Sequence, residues 1–362
     1  MARIYEKKSF GNTEFLSTFK SYLVATKPGI IMGNAVTAAS GYMLATRGRC
    51  NVTLFLAMME GVALVIASAC VFNNYIDKEA DRKMERTRRR PIARGEITPR
   101  NALFYGSVLG VTGFVTLAYA TGPLTLAITG TGFAVYVFVY GFLKYRTGHS
   151  TLIGSIAGAV PPVIGYTAVT RRLDITACLF FGMIVMWQIP HFFAITIYGM
   201  RDYRAAGIPT FPIERGLRAT KIRMIVYIAL FTAFAEAFHL FGVTNVLFSV
   251  IAGVLGMIWL RAGIRGLRCR DEVKQARHMF LLSLIVVVVI SATLPFSARS
   301  APLRVGKPHD RIVTEQKVID PLHGSVRHLF RGKPVRNGDT VFGKTALPGG
   351  GGSVDHTSHP KH

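Results

Sequence analysis

Three oxygen-bearing side chains recur at intervals of four residues near the end of one apolar stretch: Asn73, Asp77 and Asp81. If the helix continues through this segment, the interval places all three on one slowly rotating face. Two carboxylates and an amide suit a hard cation, and Mg²⁺ is usually bound by one or two carboxylates together with phosphates of a substrate. The spacing therefore predicts a magnesium and diphosphate site, with the adjacent Asn74 as a further ligand candidate.

Basic residues follow these acids directly, and they are Arg82, Lys83, Arg86 and the run 88–90. Guanidinium and ammonium groups would bind the remaining phosphate charge. A plainer alternative is a solvated helix end with ion pairs between side chains three or four residues apart. The position favours the functional interpretation, because ionisable residues in a membrane span cost free energy and usually have a functional role.

A second group of candidates follows a later apolar stretch. Asp202 is predicted to lie on the same side as the first two aspartates, where it would hold a second metal ion or orient Arg201 and Arg204. His191 lies about two turns deeper, beside Pro190. For His191, a structural hydrogen-bonding role and a role as ligand or acid–base group both stay open.

Composition indicates what must position these side chains. The chain has 362 residues, of which 50% are hydrophobic and 17% charged, with a net charge of +24, whereas soluble domains average about 25% charged residues. The apolar residues come in runs of about 20, which is the length that crosses a bilayer. Soluble, disordered, collagen-like and disulfide-stapled classes are excluded, and four scattered cysteines without a CxxC pair argue against zinc or redox chemistry. The predicted fold is all-α and polytopic, in the lipid bilayer.

Nine membrane spans are predicted from the apolar stretches between charged or Gly/Pro-rich breaks. They are 29–46, 52–76, 101–120, 122–142, 151–170, 174–198, 222–241, 244–260 and 279–297. Domain organisation follows: an N-terminal arm at 1–27, a nine-helix membrane domain at 28–298, and a tail at 299–362. The tail lacks an apolar span and is expected to be disordered; a native extension and a non-native end both stay open.

The distribution of basic residues predicts the orientation. One set of alternate loops carries most of the lysines and arginines, and the other set only Arg47, Arg49, Arg171 and Arg172. The positive-inside bias therefore places the N-terminus and the aspartate loops in the cytoplasm. No cleavable signal or transit peptide is evident, so we expect a bacterial inner-membrane protein. No basic face lies outside the membrane loops except in the tail, so a nucleic-acid partner is not expected.

Several ordered motifs support a family resemblance. The segment from Asn73 to Thr87 resembles the first aspartate motif of the UbiA-like intramembrane prenyltransferases, and its form is similar to their protohaem IX farnesyltransferase (haem O synthase) branch. Further matches between residues 27 and 212 are Lys27-Pro28, Tyr140-x-x-Leu143-Lys144, Gly158-Ala159-x-Pro161-Pro162-x-x-Gly165-Tyr166, Trp187-Gln188-x-Pro190-His191 and Asp202-Tyr203-x-Ala205-Ala206-x-Ile208-Pro209. The Pro-His pair and the Asp-Tyr loop separate this branch from the quinone-type enzymes.

The resemblance implies transfer of a farnesyl group from farnesyl diphosphate to a vinyl group of haem B, with water addition and Mg²⁺ as cofactor. Asn73, Asn74, Asp77 and Asp81 would then hold the metal. The implied catalytic residues are Asp77, Asp81, His191 and Asp202; the implied diphosphate ligands are Arg82, Lys83, Arg86, Lys144 and Arg201; Tyr140 and Tyr203 would position the substrate. A contact with haem A synthase or the terminal oxidase assembly stays open.

Three alternatives to this function stay open at this point. The same fold could prenylate an aromatic acceptor in quinone biosynthesis. A non-enzymatic transporter or haem-handling protein would place acidic residues near the bilayer midplane, whereas most acids here crowd one end. A basic scaffold for anionic lipid would explain the arginines but not the four-residue spacing of the asparagine and the aspartates.

Overall fold

The computed structural model describes residues 2–298, with side chains from residue 14 onward, and the predicted tail at 299–362 lies outside that range. The described backbone is almost entirely helical. In chain order the helices are α1 (Ala2–Ala25), α2 (Pro28–Thr46), α3 (Val52–Lys83), α4 (Pro91–Arg94), α5 (Pro99–Ala120), α6 (Pro123–Ala134), a π-helical segment (Val135–Tyr140), α7 (Gly141–Leu143), α8 (Ser150–Gly158), α9 (Val160–Thr170), α10 (Ile175–Tyr198), α11 (Met200–Ala205), α12 (Phe211–Arg215), α13 (Leu217–Leu240), α14 (Val246–Gly266) and α15 (Glu272–Phe296).

The predicted all-α membrane fold is confirmed. Within the described range, eight helical stretches are long and apolar enough to cross a membrane: Val52–Lys83, Pro99–Ala120, Pro123–Leu143, Ser150–Thr170, Ile175–Tyr198, Leu217–Leu240, Val246–Gly266 and Glu272–Phe296. The helix α2 corresponds to the remaining predicted span and has 19 residues, but many of them are small or polar. About nine spans is therefore close to the observed count.

Small residues explain why α2 is less apolar than its neighbours. It crosses α9 at very short range, since a Cβ added to Gly41 would overlap the backbone of Pro162 and one added to Gly165 would overlap the backbone of Ala38. Small residues at such crossings let two backbones approach closely within a membrane, where packing rather than hydrophobicity drives helix association. The small residues of α2 thus allow it to pack closely against α9.

Side-chain caps begin the long helices where the sequence supplies a short polar residue. Asp174, at the start of α10, accepts hydrogen bonds from the backbone N–H groups of Thr176 and Ala177 at 3.0 and 3.2 Å. Asn51, Thr98, Asn245 and Asp271 cap α3, α5, α14 and α15 in the same way. Each cap satisfies an N–H group that has no partner within its own helix.

The interior is apolar, and so is much of the surface. One buried cluster joins α10, α13, α14 and α15 around Phe180, Phe231 and Trp259, and a second joins α2, α3 and α9 around Tyr42. Large exposed side chains such as Tyr119, at 90% exposure, cover the outer faces. An apolar core together with an apolar exterior is typical of a bundle surrounded by lipid.

Polar residues gather at one end of this bundle. The end comprises the last turns of α3, the 84–98 connection that contains α4, residues 144–149 after α7, and α11 after α10. We call it the aspartate end. The helix α3 continues through the aspartates to Lys83, seven residues beyond the predicted span, so the helical continuation on which their shared face depends is present.

Candidate active site

The last turns of α3 direct Asn73, Asp77 and Asp81 into a single cavity of about 220 Å³ at the aspartate end. Asn73 is 5% exposed and Asp81 3% exposed, so both face the interior of the protein. The other charged side chains that line the cavity are Lys27, Arg86, Arg90 and Lys144. The predicted common face is therefore present, and four cations from three segments of the chain surround it.

Asp77 is held by two neighbours from the segment that follows the π helix. Its Oδ1 forms an ion pair with Lys144 and accepts a hydrogen bond from the Tyr145 hydroxyl at 2.6 Å. Burial lowers the pKa of Lys144 while Asp77 opposes that shift. Burial, followed by the charge of Asp77, raises the pKa of Tyr145, so the phenol remains a donor.

Asp81 is paired with Arg90, whose Nη1 lies 2.9 Å from both carboxylate oxygens. The chain between them folds back on itself, and the Thr87 hydroxyl donates to the Asp81 carbonyl at 3.4 Å. This loop carries Arg86 into the cavity wall as well. A charge-assisted contact of this kind fixes both the aspartate and the loop.

Lys27 enters the site from the junction of α1 and α2. Its ammonium donates to Asn73 Oδ1 at 2.7 Å, and burial lowers the pKa of Lys27 to about 8. The backbone of Lys27 has φ 54° and precedes Pro28, a left-handed conformation that is costly for a residue with a Cβ. The adjacent Asn74 donates to the Ala25 carbonyl at 2.9 Å, which anchors the same junction.

The π-helical segment forms one wall of the cavity. Tyr136 and Tyr140 lie four residues apart and stack with ring centroids 5.6 Å apart at 22°. The Lys144 ammonium lies 5.4 Å from the centroid of the Tyr140 ring, within the range of a cation–π contact. Wider π-helical turns occur frequently at functional sites, and this one brings two stacked tyrosines to the cavity wall.

The structure places part of the predicted set away from the cavity. Arg82 donates to the Ala93 carbonyl and pairs with the exposed Glu79, and Lys83 and Arg201 are exposed; none of the three lines the cavity. Asp202 accepts hydrogen bonds from the backbone N–H groups of Glu85 and Arg86 at 3.1 and 3.3 Å, so it holds the 84–90 loop. Tyr140, Lys144 and Tyr203 do line the cavity.

His191 lies outside this cavity, between α10 and α15. Its Nδ1 is 2.8 Å from Ser283 Oγ, and its ring stacks on Trp187 and Phe280. The roles assigned to His191 and to the outlying basic residues stay predictions.

The predicted site residues did not include Lys27 and Tyr136, which line the cavity, or Tyr145, which donates to Asp77. Lys27 belongs to a motif that the sequence displays and Arg90 to the predicted basic run, but the contacts that they make depend on chain reversals. Tyr145 is adjacent to the predicted Lys144, and Tyr136 precedes the predicted Tyr140 by one helical turn. Proximity in sequence to a predicted residue was the available signal for these two tyrosines.

An apolar cavity of about 90 Å³ lies next to the polar one. Ile30 and Tyr136 belong to the walls of both. The remaining walls come mainly from aliphatic and aromatic residues of α3, α6 and α9, among them Val62, Phe133 and Ile164. A polar compartment thus adjoins a dry one within the same bundle.

The donor set at the aspartate end fits magnesium bound together with phosphate. No cluster of three or more His, Cys, Asp or Glu side chains able to hold a metal occurs in the part of the chain that the structure describes. Such a cluster is not required for Mg²⁺, which commonly uses one or two carboxylates and completes its shell with phosphate oxygens and water. Two carboxylates and the Asn73 amide in one cavity meet that requirement.

Membrane-length helices with a cation-rich, carboxylate-bearing cavity at one end indicate an intramembrane protein with a site suited to a phosphorylated ligand. Residues 34–285 match the UbiA prenyltransferase family, and the chain belongs to that family. It is a multi-pass membrane protein.

Curated relatives match the chain over almost their whole length. It is 46% identical over 275 residues to a protoheme IX farnesyltransferase of Protochlamydia amoebophila, covering 76% of this chain and 97% of the relative. It is 41% identical over 285 residues to a protoheme IX farnesyltransferase of Edwardsiella ictaluri, covering 78% and 96%.

Solved structures share the fold at low sequence identity. A digeranylgeranylglyceryl phosphate synthase structure aligns with a TM-score of 0.66 at 14% identity, covering 78% of this chain and 98% of that one. A UbiA homologue from Archaeoglobus fulgidus bound to GPP and Mg²⁺ aligns with a TM-score of 0.60 at 15% identity, covering 76% and 99%.

Proposed function

We propose that this chain transfers the farnesyl group of farnesyl diphosphate to a vinyl group of haem B, with addition of water, giving haem O. Relatives at 40–46% identity, named protoheme IX farnesyltransferase, support this acceptor and this prenyl group. The family and fold support prenyl transfer in general.

The observation that carries the proposal is that a polar cavity and an apolar cavity lie side by side. A compartment lined by two aspartates, an asparagine and four cations opens beside an apolar compartment, and Tyr136 and Ile30 separate them. An allylic diphosphate has the same two parts, a highly charged head and a hydrocarbon chain. The charged head of the substrate therefore matches the polar cavity, and its hydrocarbon chain matches the apolar cavity.

Cleavage of the allylic C–O bond leaves charge concentrated on the departing diphosphate. Groups that bind this charge more tightly as it develops lower the barrier. Lys27, Arg86, Arg90 and Lys144 are the side chains in position to contact its oxygens. Mg²⁺, held by Asn73, Asp77 and Asp81 together with the phosphates, would supply Lewis-acid stabilisation of the same leaving group.

The apolar compartment has a separate task. It receives the prenyl chain and excludes water from the allylic carbon, so that the acceptor's vinyl group can react before solvent does. Tyr136 lies at the boundary between the two compartments, and Tyr140, which stacks on it, lines the polar one. Tyr203 also lines the polar compartment, and burial raises the pKa of its phenol, which remains protonated.

We infer that the aspartate end faces the cytoplasm of a bacterial inner membrane, because the loops at that end carry most of the basic residues. Residues 28–298 would then form the prenyltransferase domain, which includes the family match at 34–285. A contact with haem A synthase or oxidase assembly remains a proposal drawn from the reaction alone.

The deciding experiment is a product assay. Membranes containing the full chain are incubated with farnesyl diphosphate and Mg²⁺, together with either haem B or 4-hydroxybenzoate, and products are identified by mass spectrometry. We expect a hydroxyethylfarnesyl haem with the first acceptor, loss of product with EDTA, and recovery with added Mg²⁺. A prenylated benzoate alone would establish the quinone-type function instead, and no product with either acceptor would contradict prenyl transfer to both.

A further inference from the structure

One face of α3 runs from the aspartates down into the apolar cavity. Asn73, near the top of this face, lines the polar cavity, and Val62, three turns deeper, lines the apolar one. Between them, the residues of α3 that line the apolar cavity follow at the intervals of a single helix face, and they are Val65, Ile66, Ala69 and Cys70. The same helix face therefore reaches from the candidate metal ligands to the deepest part of the apolar compartment.

Three residues form the deepest part of the apolar cavity. The helices α3 and α6 run toward the aspartate end, so their lowest-numbered lining residues, Val62 and Thr129, are the deepest. The helices α8 and α9 run away from that end, and their last lining residue is Ile164. Each of these three residues is at most 4% exposed. We call them the floor of the cavity.

A layer of packed side chains lies directly beneath the floor. Met58 on α3, Thr125 on α6 and Thr167 on α9 each lie about one turn below a floor residue, and each is 0% exposed. The Thr125 hydroxyl donates to the Thr167 hydroxyl at 3.1 Å, which joins α6 to α9 at this depth. None of the three lines the apolar cavity. The cavity therefore ends at the floor along all three helices.

The depth of the cavity corresponds to a particular length of hydrocarbon chain. The three turns of α3 from Asn73 to Val62 span about 16 Å. With C–C bonds of about 1.5 Å, an extended farnesyl chain is about 14 Å long and an extended geranylgeranyl chain about 19 Å. One isoprene unit thus adds about 5 Å, which is about one helical turn. A farnesyl chain reaches the floor, whereas the next longer chain would have to displace the layer beneath it.

We propose that the floor residues Val62, Thr129 and Ile164, backed by Met58, select the farnesyl chain over longer and shorter prenyl chains. The proposal rests on the proposed function, since it concerns the donor of that reaction. A longer chain meets side chains that are already closely packed. A shorter geranyl chain leaves the space above the floor without contacts and buries less apolar surface. Selection therefore comes from the end of the chain, because the diphosphate is common to all these donors.

The experiment measures the binding of three non-reactive donors, the thiolodiphosphate analogues of geranyl, farnesyl and geranylgeranyl diphosphate. They are titrated with Mg²⁺ into the full-length protein in lipid nanodiscs and followed by calorimetry. We expect the unchanged protein to bind the farnesyl analogue about tenfold or more tightly than the geranylgeranyl one, as is typical of discrimination by an apolar pocket. Met58→Ala opens the layer beneath the floor, so this preference should fall about tenfold through tighter binding of the geranylgeranyl analogue.

Val62→Phe changes the floor in the opposite direction. The larger side chain shortens the cavity, so we expect the farnesyl analogue to bind about tenfold more weakly while the geranyl analogue changes little. Each comparison is a ratio of affinities measured on one protein, so a lower yield of folded protein does not alter it. Should Met58→Ala fail to fold, Val62→Phe decides the matter by the same ratios.

Met183→Ala is the matched control for Met58→Ala. Met183 is also 0% exposed, but it lies on α10 and lines neither the polar nor the apolar cavity. The same buried side chain is shortened, so the loss of stability should be similar. The affinity ratios among the three analogues should remain those of the unchanged protein.

Unchanged affinity ratios in both Met58→Ala and Val62→Phe would overturn the proposal. Equal binding of the farnesyl and geranylgeranyl analogues by the unchanged protein would also overturn it, since the chain would then leave the cavity sideways into the lipid. The proposed function is judged separately, by the product assay with haem B, which the binding experiment does not require. Length-selective binding without a haem product would remove the function and keep the role of the floor, and a haem product without length selection would do the reverse.

Discussion

The two aspartates at the heart of the site have different neighbours, although they lie on one face of one helix. Asp77 is bound by an ammonium and a phenol from the segment after the π helix, whereas Asp81 is bound by a guanidinium from its own downstream loop. Each carboxylate thereby holds a different piece of chain against α3. Replacing either one removes both a magnesium-ligand candidate and an anchor for a phosphate-binding cation.

Asp77→Asn and Asp81→Asn should each reduce haem farnesylation by about 100-fold or more, since removal of one group that stabilises developing charge commonly costs that much. The measurement is product formation by mass spectrometry at saturating Mg²⁺, with membrane content checked by immunoblot. Glu79→Gln is the matched control, because Glu79 lies on the same helix, pairs with the exposed Arg82 and does not line the cavity. Normal turnover in both aspartate variants would contradict the role given to them.

At this scale the sequence predicts what depends on local periodicity and misses what depends on chain reversal. The face shared by Asn73, Asp77 and Asp81 follows from the four-residue spacing once the helix continues. Arg82 is next to Asp81 in sequence but points to the 84–98 connection, while Arg90, nine residues away, returns to bind it. Nothing local in the sequence specifies that return.

At the scale of the helices, the crossing of α2 and α9 fixes α2, at whose start Lys27 and Ile30 belong to the cavity wall. The two backbones meet at Gly41 and Gly165 with no room for a Cβ. Apolar stretches alone predicted α2 closely, as 29–46, whereas α9 was predicted only as part of a single span, 151–170, which the structure divides into α8 and α9. The contact between α2 and α9 was not predicted, because small residues in a sequence do not indicate which other helix they pack against.

Gly41→Ala should lower the melting temperature of the purified protein by several degrees, because the added methyl group meets the fixed backbone of Pro162, and overpacking of this kind costs about 1–3 kcal/mol. Gly33→Ala, on the same helix, is the control. No atom lies within 4 Å of the added Cβ there, so the change should be neutral or slightly stabilising. Equal melting temperatures for the two variants would show that the crossing is looser than described.

At the scale of the whole molecule, the distribution of basic residues and the order of the helices predict that the two ends of the bundle face different compartments. Cys269 lies between α14 and α15 at the end that contains the aspartates, and Cys50 lies between α2 and α3 at the other end. The bias of basic residues predicts which end faces which compartment, a property that depends on sums over loops and so is visible in the sequence.

Variants that retain only Cys50 or only Cys269 should therefore react from opposite sides with a membrane-impermeant maleimide. In inside-out vesicles we expect labelling of Cys269, and in intact spheroplasts labelling of Cys50. Detergent-solubilised samples, in which both should react, report the intrinsic reactivity of each thiol. Labelling of Cys269 in intact spheroplasts would reverse the orientation inferred from the charges.

Two adjacent asparagines, Asn73 and Asn74, connect α1 to the candidate active site. One asparagine receives the ammonium of Lys27 and the other holds the carbonyl of Ala25, on either side of the strained turn before Pro28. The position of α1 is thereby linked to the number of positive charges in the cavity. A force or ligand that displaced α1 would withdraw a cation from the proposed diphosphate site while leaving the other walls of the cavity in place.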